Sequence, residues 1–383
     1  MAALTQTIYR FSAPGRTEIG GNHTDHQRGC VLAAAVDLET TAEVTLNGSD
    51  VIRVVSDGYA PVEVHLDDLE LRQEEKNTTA ALVRGIAAEF VRRGAKVQGF
   101  EAKVHSTVLP GSGLSSSAAF EVLMGTILNH LFFDASLAPA EVARIGQYAE
   151  NVYFGKPCGL MDQMASAVGG MVMIDFAYPS CPVVERIDFD FAAAGHALCI
   201  IDTGADHAEL TGDYAAITKE LREICAFFGK EVLRQIPRSE FYAALPRLRG
   251  NVPDRAILRA MHVYAENERV ELQAQALRSG DFDAFLELVK ESGRSSWMYL
   301  QNITPAGAVQ QQAVAVALAL CDTLLQDRGA YRVHGGGFAG TVQAFVPLDL
   351  LDSFRSGIEA VLGQGSCHVL TIRADGGKRE KQS

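Results

Sequence analysis

Between residues 109 and 119 the chain reads Leu109-Pro110-Gly111-Ser112-Gly113-Leu114-Ser115-Ser116-Ser117-Ala118-Ala119, a stretch built almost wholly of glycine, serine and alanine. Upstream, Phe100, Ala102, Val104 and Val108 follow a period of two; downstream, Phe120, Leu123, Met124, Ile127, Leu128 and Leu131 follow helical spacing. The run is therefore a loop that feeds a helix N-terminus. Glycines allow tight folding and close approach of backbone N–H groups to an anion, and the helix dipole adds partial positive charge at the same place. Phosphates of a nucleotide are the natural guest. No Gly-Lys-Ser/Thr ending is present, so the amides and hydroxyls of Gly111, Ser112, Gly113, Leu114, Ser115, Ser116 and Ser117 must do the binding without a phosphate-loop lysine.

Two further clusters carry chemistry. Arg16, Asn22, His23 and Asp25 fall within ten residues of Ala13-Pro14-Gly15-Arg16-Thr17-Glu18-Ile19-Gly20-Gly21-Asn22-His23-Thr24-Asp25-His26. Asp accepts from vicinal hydroxyls while Asn and His both donate and accept, so this set can read several hydroxyls of a polyol at once. Farther on, Glu150 and Asp162 flank the turn Phe154-Gly155-Lys156-Pro157-Cys158-Gly159. One carboxylate can hold a hard cation and the other can take a proton, the division of labour that phosphoryl transfer needs.

The elements that must position these groups read as mixed α+β. Strand patterns fill the first hundred residues, with Val44 and Leu46, then Ile52 and Val54, on either side of Asn47-Gly48-Ser49-Asp50, which predicts a hairpin turn. A helix over Val142, Ile145, Ala149 and Val152 should end near Gly155, leaving Glu150 on its last turns. The turn-rich Ala177-Tyr178-Pro179-Ser180-Cys181-Pro182 places a boundary near residue 193, giving domains 1–192 and 193–383, and residues 376–383 read as a frayed tail. Val333-His334-Gly335-Gly336-Gly337-Phe338-Ala339-Gly340 matches a dinucleotide-binding glycine pattern, but the strand-like Thr341–Pro347 follows it where a helix would be required.

Bulk properties restrict the partners. A net charge of −13 argues against nucleic acid and anionic membranes, which are bound by Lys and Arg. Seven cysteines without a C-x-x-C pair suggest neither a disulfide framework nor zinc, and fit a reducing cytoplasm. The first residues have no signal-peptide pattern, and the longest apolar run, Ala313–Cys321, is too short to span a bilayer.

Taken together, Gly15-Arg16 through His23-Thr24-Asp25, Pro110 to Ala119, Cys158-Gly159-Leu160-Met161-Asp162-Gln163 and Val333 to Gly340 resemble the galactokinase branch of the GHMP small-molecule kinases, from Phe11 into the C-terminal region. The resemblance implies a two-domain GHMP kinase fold, with a ribosomal-S5-like N-terminal domain and the site in the cleft. It implies transfer of the γ-phosphoryl group of ATP to the C1 hydroxyl of galactose, with Asp162 as base and Arg16 beside it. It also implies Mg²⁺ on Ser117 and Glu150, and sugar contacts from Asn22, His23, Asp25, Gly159 and Tyr214. Gly335, Gly336 and Gly337 become a supporting glycine motif, and the protein a monomer or weak homo-oligomer. Three positions depart from the family: Asn22 stands for the usual glutamate, His26 for tyrosine and Thr79 for tryptophan. An asparagine at 22 leaves galactose and galacturonate both admissible, and a non-catalytic sugar sensor of similar sequence is the remaining alternative.

Overall fold

The computed structural model of the chain describes residues 7–108, 111, 113–205 and 211–381. Among the described residues twelve strands form two sheets. The first contains β1 (Tyr9–Gly20), β2 (Cys30–Leu46), β3 (Val51–Ser56), β4 (Val62–His65), β5 (Phe100–Ser106), β6 (Met171–Asp175), β7 (Val183–Ile187) and β12 (Lys378–Arg379), in the order β12-β1-β2-β5-β3-β4, with β6 and β7 branching from β2. The second is antiparallel, in the order β11 (Cys367–Leu370), β8 (His196–Asp202), β10 (Thr341–Pro347), β9 (Ala330–His334).

Strand β2 shows how the layers arise. Cys30 to Val36 is wholly buried, because both of its faces are covered. Val31 and Ala33 point into a core shared with α1 (Thr79–Arg92), α2 (Ser116–Phe132), α3 (Pro139–Tyr148) and α4 (Met161–Val168). The alternate residues Cys30, Leu32, Ala34 and Val36 point the other way, into a second core. That core is closed by α8 (Asp254–Ser279), α9 (Phe282–Ser295) and one face of the second sheet; α5 (Thr211–Phe227) and the short α6 (Arg238–Ala243) and α7 (Leu245–Leu248) precede them. Strand β8 repeats the device. Leu198 and Ile200 enter the second core, while Ala197, Cys199 and Ile201 meet α10 (Ala313–Leu325) and α11 (Leu351–Leu362).

Two expectations fail. Asn47–Asp50 is not a hairpin turn, because β5 lies between β2 and β3, antiparallel to the first and parallel to the second. The turn instead clamps the entry to β5: Asn47 N–H donates to the Gly99 carbonyl and Gly99 N–H to that of Ser49. A Cβ on Gly99 would lie 2.5 Å from the Ser49 carbonyl oxygen, so this close approach requires glycine. Nor are residues 376–381 frayed; Gln382 and Ser383 lie outside the described residues. Lys378 and Arg379 pair with Ser12 and Phe11, placing these last residues with the first sheet.

Candidate active site

Strand β1 carries Arg16 toward α4, whose first turn carries Asp162. The guanidinium donates twice to the carboxylate, Nε to Oδ1 and Nη2 to Oδ2, both at 2.7 Å. Its Nη1 donates to the Gly113 carbonyl, and its backbone N–H to that of Leu114. One arginine thus ties the glycine-rich loop to the carboxylate, while Ser115 Oγ donates to Asp162 Oδ2. Burial pushes the Asp162 carboxyl up, but the Arg16 charge and the hydrogen bonds from Arg16 and Ser115 outweigh it and hold the group below the usual carboxylate range. Its side chain keeps a third of its surface accessible, enough to meet a substrate.

Ser115 has a left-handed backbone, φ 57°, immediately before α2, at a cost of about 1–2 kcal/mol. No side chain caps α2, which leaves its first-turn N–H groups for an anion. Gly111 (φ 77°) and Gly113 (φ 72°) supply the left-handed turns before it. Ser112 lies outside the described residues.

Beside the ion pair a cavity of about 240 Å³ has Arg16, Glu18, Asn22, His23, Asp25, His26 and Asp162 among its lining, together with Gly159, Gly335 and Gly336. Its size suits one sugar ring, being below the roughly 300–1,000 Å³ of drug-sized pockets. In the glycine motif between β9 and β10, the carbonyls of Gly335 and Gly336 accept from the cavity residues Asn22 (Nδ2) and His23 (Nε2), and behind them that of Gly337 accepts from the Tyr214 hydroxyl. A Cβ on Gly336 would meet the Tyr214 ring at 2.4 Å, and one on Gly337 the Asn302 carbonyl oxygen at 2.1 Å. Asp25 lies against Gly159, whose Cβ would fall 2.4 Å from Asp25 Oδ2. Substituting Gly159 with alanine is therefore expected to turn the Asp25 carboxylate away while leaving the backbone intact. An unchanged melting temperature with weakened sugar binding is the expected calorimetric result.

His23 donates from Nε2 to a carbonyl, so Nδ1 is free to accept. Burial, with the neighbouring His26, lowers its pKa to about 4, and burial likewise holds His262 and His334 below the ordinary range. All three are neutral in the fold. When pH falls below about 6.5, the unfolded chain takes up protons that these folded histidines refuse, so stability is lost from that point downward. The melting temperature is expected to fall between about pH 6.5 and about pH 4.5, before most carboxylates titrate; a flat profile there would refute the neutral assignment.

On the far side of Asp162, Gln163 Nε2 bridges Glu121 Oε2 (2.9 Å) and Glu150 Oε2 (3.0 Å). Glu150 sits in a π-helical turn, Ala149–Phe154, that prolongs α3 and stops at left-handed Gly155. Its Oε1 reaches Lys156 at 3.4 Å. Glu121 Oε1 is buried without a partner among the described residues, and burial together with Glu150 raises the Glu121 pKa well above normal. Ser117 stands one turn before Glu121 on α2, on the same face. Ser117 and Glu150 offer oxygen donors of the kind a hard divalent cation takes, while among the described residues no group of three or more His, Cys, Asp and Glu side chains is placed to hold a metal ion.

The structure therefore brings Arg16, Asn22, His23, Asp25, Gly159 and Asp162 to one cavity. It sets Tyr214 behind the glycine motif, where its hydroxyl holds Gly337, and it gives Ser115 to Asp162. Sequence reasoning missed Glu18, Asn302 and Arg332. Asn302, in the stretch after Trp297, donates to Asn22 Oδ1 at 2.9 Å and to the Gly336 carbonyl at 3.2 Å, and its own carbonyl accepts from Phe338 N–H.

Comparison with known proteins agrees with this geometry. Residues 81–170 match the GHMP kinase N-terminal domain, and residues 4–46 the galactokinase galactose-binding signature. The fold matches mevalonate kinase from Methanococcus jannaschii with a TM-score of 0.68 at 12% identity, covering 97% of this chain and 99% of that one. Lactococcus lactis galactokinase, solved with galactose, matches with a TM-score of 0.82 at 26% identity, over 98% of this chain and 95% of that one. The architecture is thus that of the GHMP kinases, phosphotransferases with a hydroxyl acceptor. With galactokinase of Streptomyces coelicolor the chain shares 32% identity over 354 residues, 91% of its own length and 87% of the relative's, and it belongs to the galactokinase family.

Proposed function

We propose that the protein phosphorylates galactose at C1 with ATP. The observation that carries this reading is the Arg16–Asp162 pair, which joins the anion-ready N-terminus of α2 to a cavity of one-sugar size. The C1 hydroxyl gives its proton to an Asp162 oxygen as its oxygen bonds to the γ-phosphorus, and the bond to the β-phosphate oxygen breaks to release ADP. A carboxylate in hydrogen-bond reach contributes about 10²- to 10⁴-fold. Arg16 keeps that carboxylate ionised and offsets charge gathering on the transferred group.

Gly111, Gly113, Leu114, Ser115, Ser116 and Ser117 form the phosphate cradle, with Ser112 completing the run in sequence. Ser117 and Glu150 would hold Mg²⁺, which when bound neutralises phosphate oxygens. His23 accepts through Nδ1, Asp25 accepts hydroxyls, and Gly159 leaves room for that carboxylate; Asn22 and Tyr214 act through the glycine motif. All seven cysteines are free thiols, which supports a cytoplasmic setting. Among the described residues no helix is long and apolar enough to cross a membrane.

Coupled measurement of ADP release on a panel of sugars tests the reading. Release with galactose, abolished by chelation of the divalent cation, is expected. Sugar binding without any release would make the protein a sensor.

A further inference from the structure

We propose that Glu18 is a substrate-reading residue, the carboxylate that accepts a hydrogen bond from a galactose hydroxyl other than that on C1 and turns uronic acids away; this rests on the galactose reading above. Glu18 lies on β1 two residues after Arg16 and so on the same face, and it lines the same cavity. Its side chain is only 6% exposed. Oε1 is fully engaged: it accepts from the Arg332 guanidinium, itself entirely buried, and from Asn22 Nδ2 at 3.2 Å. Oε2 has no partner among the described residues. The backbone is equally fixed, with Glu18 N–H donating to His334 Nε2 and its carbonyl accepting from Arg332 and Gln343. A carboxylate clamped on one side and open on the other is a preorganised acceptor.

Asn22 cannot take this part. Its Nδ2 donates to Glu18 and to the Gly335 carbonyl, which uses both of its protons, and its Oδ1 accepts from Asn302. The amide holds Glu18 in place and leaves no proton for a substrate carboxylate. The cavity's other charges do not offer one a home either. Arg16 is paired with Asp162, Asp25 is acidic with His26 Nε2 lying 3.5 Å from its Oδ1, and His23 carries no charge. A uronic acid would set its carboxylate among Glu18, Asp25 and Asp162, a like-charge arrangement that rejects it.

The test is steady-state ADP release by the full chain, as wild type, Glu18→Gln and Glu18→Asp, on galactose, its monodeoxy derivatives and galacturonate. Glu18→Gln is expected to raise KM for galactose about 10- to 100-fold, the loss of one charge-assisted hydrogen bond, with kcat changed less than about threefold. For one monodeoxygalactose the variant and wild type should coincide, since the hydroxyl that Glu18 reads is already missing. Glu18→Gln should also narrow the preference for galactose over galacturonate. Glu18→Asp, which keeps the charge against Arg332, should raise KM yet still exclude galacturonate.

Equal losses on galactose and on every deoxy sugar would show that Glu18 only supports the fold, and would overturn the proposal. So would wild-type turnover of galacturonate comparable to that of galactose. Should Glu18→Gln melt early because Arg332 is left uncompensated, Glu18→Asp with the deoxy series decides alone. No release by wild type on any sugar would count against the kinase reading; calorimetric binding of the same sugars to the same variants would then still judge Glu18.

Discussion

Asp162→Asn is expected to lower kcat by about 10²- to 10⁴-fold with little change in the affinity for sugar. The substitution keeps the shape, and an asparagine Oδ1 still accepts from Arg16, so the loss falls on proton acceptance in the transition state. Arg16 is buried and would lose part of its charge compensation, so a fall in melting temperature accompanies the loss without unfolding the protein. Single-turnover kinetics check the assignment: a phosphoryl-transfer step that stays fast in the variant would remove Asp162 from the mechanism.

Arg16→Ala should be as damaging, and its pH dependence identifies the cause. In the intact protein burial raises the Asp162 pKa, and Arg16, with help from Ser115 and Lys156, more than reverses it. Without the guanidinium, only the Ser115 hydrogen bond and the Lys156 charge still oppose burial, and the carboxyl titrates at higher pH. The reaction needs the ionised form, so the acid limb of the kcat profile should move upward in pH, and activity lost near neutrality should partly return in alkali. Arg16→Lys restores charge but cannot donate twice in parallel while reaching the Gly113 carbonyl, so it should recover the acid limb better than the rate. A loss of rate with an unmoved acid limb would show that Arg16 does not set the ionisation of Asp162.

Much of this site was legible in the sequence because its residues are local. Gly111–Ser117 announces a helix start through glycine and hydroxyl content, and Arg16 to Asp25 gathers donors and acceptors within ten positions. Tertiary contacts were not legible. The pairing of β5 between β2 and β3 joins residues 48 to 66 positions apart, and a turn-like tetrapeptide between two apolar runs looks the same whether or not a third strand intervenes. The last strand was hidden because Lys378 and Arg379 are too few to make a pattern. At position 22 an amide in place of a carboxylate left galactose and galacturonate both admissible on the sequence, whereas in three dimensions that amide is bound to the carboxylate of Glu18. Nothing within reach along the chain could signal Glu18, whose compensating charge is Arg332.

That separation bears on how the protein is made. Glu18 and Arg332 are 314 positions apart, and Asn22 and His23 wait equally long for Gly335 and Gly336. On a ribosome the segment that carries Asn22 and His23 emerges 313 residues before Gly335 and Gly336 and stays incomplete until they have been synthesised. Until then an acidic group destined for burial has no counter-charge, and contacts so distant in sequence form late and slowly. The nascent chain is therefore exposed to misassembly for most of its synthesis. A truncation that removes the β9–β10 hairpin should leave α1 to α4 able to pack against the first sheet while abolishing recognition of the sugar.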